Sequence, residues 1–285
     1  MRITRFYRFA GLEFLLEIPA SCAYQNEWHL AAFHADSVED PHRFQFEHAE
    51  KLTEPSGNLL VQQPNFKLYS CLDGHIRYTG GEDAYIRGEH TGKLHRIQVK
   101  KNLNTAVIGA KTVLESMEIE HLIARNHGFV FHCSYIDRGG KAILFTAPSG
   151  TGKSTQAELW AQHRGTEIIN GDRAAIRLAD GALLAEGIPF AGSSQYCKNR
   201  SLPIEAIVYL GQAPKTSIRK LRGYEAFAKI WEGVSVNTWD KEDLELVSAV
   251  VQKVAERIPI YHLPCTPDLS AVTALEEALK KQEAL

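Results

Sequence analysis

The sequence has no C-x-x-C pair. Its five cysteines (Cys22, Cys71, Cys133, Cys197, Cys265) are scattered and odd in number. That argues against a disulfide framework and against a cysteine zinc site. It also lacks an excess of either charge. The net charge is −2 over 285 residues, so a basic nucleic-acid surface is not expected. Nor is there an apolar run near the ~20 residues that a membrane helix needs. The N-terminus has the outline of a secretory signal, with Arg2, Arg5 and Arg8 before LEFLLEIPASC. Glu13 and Glu17 break that stretch, whereas an h-region is uncharged. Internal repeats and low-complexity tracts are missing as well. These absences predict a cytoplasmic protein with neither a nucleic-acid nor a membrane partner. What is present, 44% hydrophobic residues, suffices for one large or two smaller domains.

Residues 1–104 read as a mostly β N-terminal region. Phe44 and Phe46 alternate with Arg43, Gln45 and Glu47, the pattern of a half-buried strand. Phe66–Leu72 and His75–Thr79 flank Asp73-Gly74, a hairpin signal. Ala84–His90 and Leu94–Val99 flank Thr91-Gly92-Lys93, a second one. His29, His34, His42 and His48 fall here at spacings that fit no metal site. They read as solvated or structural.

Residues 105–285 read as a second domain. Thr105–Asn126 carries a broad apolar stripe and predicts one helix. Phe129–Asp137 predicts a strand with Phe129, Phe131, Cys133 and Tyr135 on one face and His132 on the other. Then comes KAILFTAPSGTGKST, Lys141 to Thr155. A short apolar strand, a glycine-rich turn, Lys-Ser and a helix is the order of a phosphate-binding P-loop. Ser149, Gly150, Thr151, Gly152, Lys153, Ser154 and Thr155 are its candidate nucleotide contacts. Gly150 and Gly152 let the backbone curl its N–H groups inward. Lys153 would reach the outer phosphates and Ser154 would ligate Mg2+. Ala147 stands where the pattern has its first glycine.

Two further residues belong to this reading. A hairpin turn at Gly139-Gly140 pairs Arg138 with Lys141 and puts His132 opposite Ala147; a shift of one residue puts it opposite Phe145. Either register leaves His132 at the mouth of the loop. After the loop's helix, the strand Glu167–Ile169 runs into Asn170-Gly171-Asp172-Arg173. An acid at that place handles Mg2+ or the nucleophile; the competing reading of Asp172 is a plain turn residue. Glu186–Pro203 reads as a loop, and its Lys198 and Arg200 are candidates for anion contacts. Ile204–Leu210 and Ile258–His262 predict strands. Glu225–Trp231, Lys241–Ala255 and Ala271–Leu285 predict helices.

FHCSYIDRGGKAILFTAPSGTGKST, NGDRAAI and EGIPFAGSS…CKNRSLPIEAIVYL together resemble the HPr serine kinase/phosphoenolpyruvate carboxykinase superfamily. The likeness is strongest to its short members, which include serine kinases acting on precursor peptides. It runs from about Thr105 to the C-terminus. It implies an α/β carboxykinase-like nucleotide domain that uses ATP and Mg2+ to phosphorylate a hydroxyl, serine of a peptide or protein foremost. It implies that His132 organises the γ-phosphate and the acid, and that Asp172 is the second acid of the family's aspartate pair. Gly171 replaces the first. Asp172 would then serve as base and metal ligand together, or Glu186 would supply the second carboxylate. Ser193, Ser194, Lys198 and Arg200 are the remaining candidates for substrate contacts. The chain is too short for a carboxykinase, and it lacks the HPr-docking signature. A small-metabolite kinase and a non-catalytic nucleotide-binding regulator are the competing functions. A homo-oligomer is compatible with the sequence.

Overall fold

The computed structural model describes residues 2–20, 28–101, 110–192 and 194–283. The chain is mixed α/β, with two large sheets, and divides into two units, Met1–Ile119 and Glu120–Leu285. Among the described residues no helix is long and apolar enough to cross a membrane.

The first unit is built on eight strands: β1 (Arg2–Phe9), β2 (Leu12–Pro19), β3 (His42–Ala49), β4 (Leu59–Gln63), β5 (Phe66–Cys71), β6 (Gly74–Thr79), β7 (Ile86–Thr91) and β8 (Leu94–Lys100). They form one sheet in the order β1-β2-β3-β8-β7-β6-β5-β4. Ala10 and Gly11, at φ 51 and 64, join β1 to β2, the positive-φ pair that a tight hairpin favours. Phe14, Leu16, Ile18, Phe44, Phe46, Ile97 and Val99 are buried. Each contributes roughly 1.5–3 kcal/mol of apolar burial.

Three expectations shift in this unit, one of them the β7–β8 turn, which is Gly92-Lys93 because Thr91 pairs with Leu94. The β5–β6 turn comes one residue before the Asp-Gly signal, because Cys71 pairs with Gly74 across it. Gly74 is glycine for another reason: a Cβ there would lie 1.9 Å from the His90 carbonyl oxygen of β7. The single helix expected over 105–126 is two, α1 (Ala110–Ser116) and α2 (Ile119–Arg125). They break at Glu118, which takes a left-handed φ of 47 while its carboxylate binds His75 and Arg77. The start of that expected helix, 102–109, lies outside the described residues.

The second unit contains β9 (Gly128–Asp137), β10 (Ala142–Thr146), α3 (Lys153–Arg164), β11 (Glu167–Asn170), β12 (Arg173–Ala179), β13 (Ala182–Gly187), β14 (Ser201–Gln212), β15 (Arg219–Leu221), α4 (Gly223–Trp231), β16 (Val234–Ser235), α5 (Lys241–Arg257), β17 (Ile260–Cys265) and α6 (Leu269–Glu283). The sheet runs β10-β9-β12-β13-β14-β17-β15, and β10 also pairs in parallel with β14. β11 and β16 both pair with β9. The long strand β9 changes partners midway. Gly128 to His132 pair with β12, and Cys133 to Asp137 pair with β10.

Alternate residues of β9 enter different cores, as a strand's period of two requires. Phe129, Phe131, Cys133 and Tyr135 pack with Val247, Val250, Val251 and Val254 of α5. Ile136 packs with Trp160 of α3 and Leu275 of α6. The expected loop 186–203 is shorter than the sequence suggests. Glu186 and Gly187 end β13 and Ser201–Pro203 begin β14, with Glu186 paired to Ser201. Gly187 marks the close approach, since a Cβ there would meet the Lys198 carbonyl oxygen at 1.9 Å.

Candidate functional site

The site forms where β9 changes partners. Cys133 begins the pairing with β10, and its N–H donates to the Asp172 carbonyl oxygen at 3.0 Å. His132, one residue earlier, pairs with Arg173 and donates its N–H to Gly233 O at 2.8 Å. Arg138 and Lys141 exchange backbone hydrogen bonds, so the turn is Gly139-Gly140. With Thr146 opposite Cys133, His132 comes opposite Ala147, the first of the two registers. Thr146 Oγ1 donates to His132 O at 3.0 Å. The imidazole therefore leaves the sheet where β10 runs into the glycine-rich turn.

That turn joins β10 to α3. Gly150 and Gly152 hold φ 78 and 114, values that side chains resist. A Cβ at either would meet nothing within 4 Å, so these positions face open space. Gly152 caps α3. The first N–H groups of the helix, from Lys153 onward, have no intrahelical acceptor, and the dipole's positive end points the same way. Lys153 is buried, and its Nζ donates to Ala147 O at 3.1 Å and Pro148 O at 3.4 Å. Burial pulls its ammonium below the ordinary value, and Asp172 opposes that pull.

Asp172 reaches the same place from the β11–β12 connection. Its Oδ1 lies 3.6 Å from His132 Nε2 and its Oδ2 lies 3.5 Å from Arg173 Nε. The first is an ion-pair distance, longer than a hydrogen bond. His132 is the main influence holding the carboxyl below its ordinary value, with Arg173 and Lys153 helping and burial opposing. Ser154 Oγ lies 3.4 Å from Gly171 O. His132, Lys153, Ser154 and Asp172 thus surround the mouth of one turn. A hydroxyl and a carboxylate are hard oxygen donors of the kind Mg2+ accepts.

The connection is set by residues that the sequence did not single out. Asn170, fully buried, accepts the N–H groups of both Asp172 and Arg173 through Oδ1 at 3.0 Å. Its Nδ2 donates to Ile188 O at 2.9 Å. This Asx geometry fixes where Asp172 points. Gly192, at φ 57, packs on it; a Cβ there would lie 2.7 Å from Asp172 Cγ. Arg173 stands 5.8 Å over the Phe190 ring. Asn170 and Arg173 were visible only as neighbours of Asp172, and Gly192 only as part of EGIPFAGSS.

Of the other candidates, Glu186, Lys198 and Arg200 are engaged by partners outside this cluster. Glu186 is buried and receives Arg177 at 2.9 and 3.1 Å and Ser201 at 3.2 Å. Lys198 binds Glu167 at 2.5 Å, and Arg200 binds Asp137 at 2.8 Å. Ser194 Oγ donates to Ala191 O and stands over Gly171, where a Cβ would meet it at 2.2 Å. Ser193 lies outside the described residues.

A groove of about 570 Å³ adjoins the glycine turn, lined by Gly150, Thr155, Gln156, Leu210, Pro214 and Pro267 among others. It sits beyond the carboxyl ends of the parallel strands β14 and β17, where open α/β sheets bind ligands. A larger cavity of about 730 Å³, beside Arg222, Phe227 and Gln252, contains none of the candidate residues.

No family model matches the sequence, and no curated protein does. Among solved structures, the chain is similar to the HPr(Ser) kinase/phosphatase from Coxiella burnetii, at TM-score 0.34 and 12% identity. The match covers 54% of this chain and 93% of that one.

Proposed function

We propose that the chain is an ATP-dependent, Mg2+-assisted phosphotransferase whose acceptor is a hydroxyl, serine of a peptide or protein foremost. The observation that carries this is the convergence of Lys153, Asp172 and His132 on one glycine turn with open space above it. The turn's N–H groups and Lys153 would hold the phosphates. Ser154 and Asp172 would hold Mg2+, which supplies charge stabilisation to the transferred group. The groove beside Leu210 and Pro267 has room for the base and ribose. Asp172 accepts a hydrogen bond from the acceptor hydroxyl and aims it. Its depressed proton affinity suits orientation and metal ligation better than strong base action.

One observation favours a second reading, a nucleotide-binding regulator without transfer. The place of the first family acid is glycine, and Ser194 fills the space a side chain would need there. A γ-phosphate transfer assay on peptides and metabolites separates the two. The kinase reading expects transfer by wild type. It expects loss by ~10^2-fold or more in Asp172→Asn, with nucleotide binding retained. Lys153→Ala should lose binding as well. A transferring wild type matched by Asp172→Asn removes Asp172 from the mechanism. A wild type that binds ATP and transfers to nothing establishes the regulator.

A further inference from the structure

The first unit carries a row of histidines that the proposed phosphotransferase does not use. His75 on β6 pairs across the sheet with His90 on β7, and His90 pairs with His95 on β8. The rings of His75 and His90 stack at 5.0 Å. Glu118, at the left-handed break between α1 and α2, sends its carboxylate onto them. Its Oε2 lies 2.5 Å from His75 Nε2 and 3.8 Å from His90 Nε2. Arg77 holds the other oxygen, Oε1, at 3.4 Å, which fixes which oxygen faces the imidazoles. The three donor atoms lie within 4.8 Å of one another.

We infer that His75, His90 and Glu118 form a binding site for a divalent transition-metal ion, Zn2+ foremost. Three features carry this. The donors are two imidazole nitrogens and one carboxylate, a set that zinc accepts with water as a fourth ligand. An ion with bonds of ~2.0–2.2 Å spaces its donors ~3.3–3.5 Å apart. The 3.8 Å from His90 to Glu118 is too long for a hydrogen bond and close to that spacing, while the 2.5 Å from His75 to Glu118 is a direct hydrogen bond that the ion would replace.

The second feature lies behind the donors. His90 Nδ1 is 2.9 Å from His95 Nδ1, and His95 Nε2 is 3.0 Å from His42 Nδ1. His95 also stacks on Phe44 at 4.1 Å. A hydrogen bond on the far ring nitrogen orients ligating histidines, and here it turns His90 Nε2 toward Glu118.

The third is a gap. Gly88 lies on the ordinary extended backbone of β7, so its conformation does not demand glycine. A Cβ there would lie 2.4 Å from His90 Nε2. The missing side chain is what lets the His90 ring sit against the β7 backbone, where its Nε2 meets Glu118. An ion held by the three donors would pin the α1–α2 break to β6 and β7.

The test uses the untagged full chain, stripped with a chelator and reloaded with Zn2+ or Co2+. Expected are about one tightly held ion per chain, d–d absorption bands with Co2+, and a higher thermal midpoint with Zn2+. X-ray absorption of the Zn2+ form should show two imidazoles in the first coordination sphere. His90→Gln and Glu118→Gln should each weaken binding tenfold or more. His121→Asn should leave it unchanged; His121, Asp240 and Asp243 are another cluster with cation-ligand spacing. Should His90→Gln fail to fold, the wild-type absorption spectrum decides alone. A wild type that holds neither metal overturns the inference, as does a single-imidazole spectrum or loss of the ion in His121→Asn.

Discussion

Gly171 stays glycine because of Ser194. A Cβ at 171 would meet Ser194 Oγ at 2.2 Å and its Cβ at 2.5 Å, and the next nearest atom belongs to Tyr196 at 3.8 Å. Gly171→Asp should therefore cost ~1–3 kcal/mol by overpacking. Adding Ser194→Gly should restore most of it, because 3.8 Å is ordinary contact. Urea denaturation of both variants measures the coupling, and additive losses would show that Ser194 is not the obstacle. The repaired double variant sets a second carboxylate beside Asp172, and transfer should then need less Mg2+. Protons provide another check. Glu13 accepts the N–H groups of Asp40 and Glu39 and the Arg8 guanidinium, which lower its carboxyl from 4.5 to about 2. A depressed carboxyl gives stability that is present above 4.5 and lost as pH falls toward 2. Glu13→Gln should flatten acid unfolding in that window and move the midpoint little below it. An unchanged profile would show that those hydrogen bonds persist in the unfolded chain.

At the scale of elements, what the sequence revealed is what short spacing determines. The two-residue turn Gly139-Gly140 fixes the register that brings His132 to the glycine turn, and it was legible as one of two choices. The β7–β8 turn is Gly92-Lys93, which pairs His90 with His95; the three-residue turn Thr91-Gly92-Lys93 expected from the sequence would have set His90 opposite Leu94, and only the earlier histidines were weighed as ligands. Glu118 was not legible, because it arrives from a helix break far along the chain. The partner change in β9 and the ordered ends of segment 186–203 were also hidden, since both depend on strands distant in sequence. Lys198 and Arg200 illustrate the limit. Their charges suggested anions, and the structure pairs them with Glu167 and Asp137. Exposed pairs of this kind contribute ~0–1 kcal/mol, so Lys198→Ala should leave transfer and stability nearly unchanged. A large loss of transfer would return Lys198 to the site. Asp243 is the opposite case. It is fully buried on α5 and accepts His121 at 2.7 Å and Arg125 at 2.9 Å from α2. Asp243→Ala removes the buried acceptor of His121 and one of three carboxylate partners of Arg125, which keeps Asp240 and Glu242, and should cost ~1–3 kcal/mol, seen as a lower urea midpoint.

For the whole molecule, each unit has its own sheet and its own cluster of polar groups suited to a ligand. The second unit offers cations, a hydroxyl and a carboxylate around a glycine turn, which suits a magnesium nucleotide. The first offers imidazoles and a carboxylate under a β-sheet, which suits a softer ion. Each ligand stabilises the backbone that contacts it, and local opening is what amide exchange reports. Hydrogen exchange on the full chain should therefore give two separate footprints. MgATP should slow exchange over Ser149–Thr155 and Gly171–Arg173. Zn2+ should slow it over Gly74–Thr79, Ile86–Thr91 and the break around Glu118. In Lys153→Ala the nucleotide footprint should vanish while the zinc footprint stays, and in His90→Gln the reverse should hold. A MgATP footprint centred on Arg222 and Gln252 would instead move the nucleotide to the larger cavity, and with it every role assigned to Asp172 and His132.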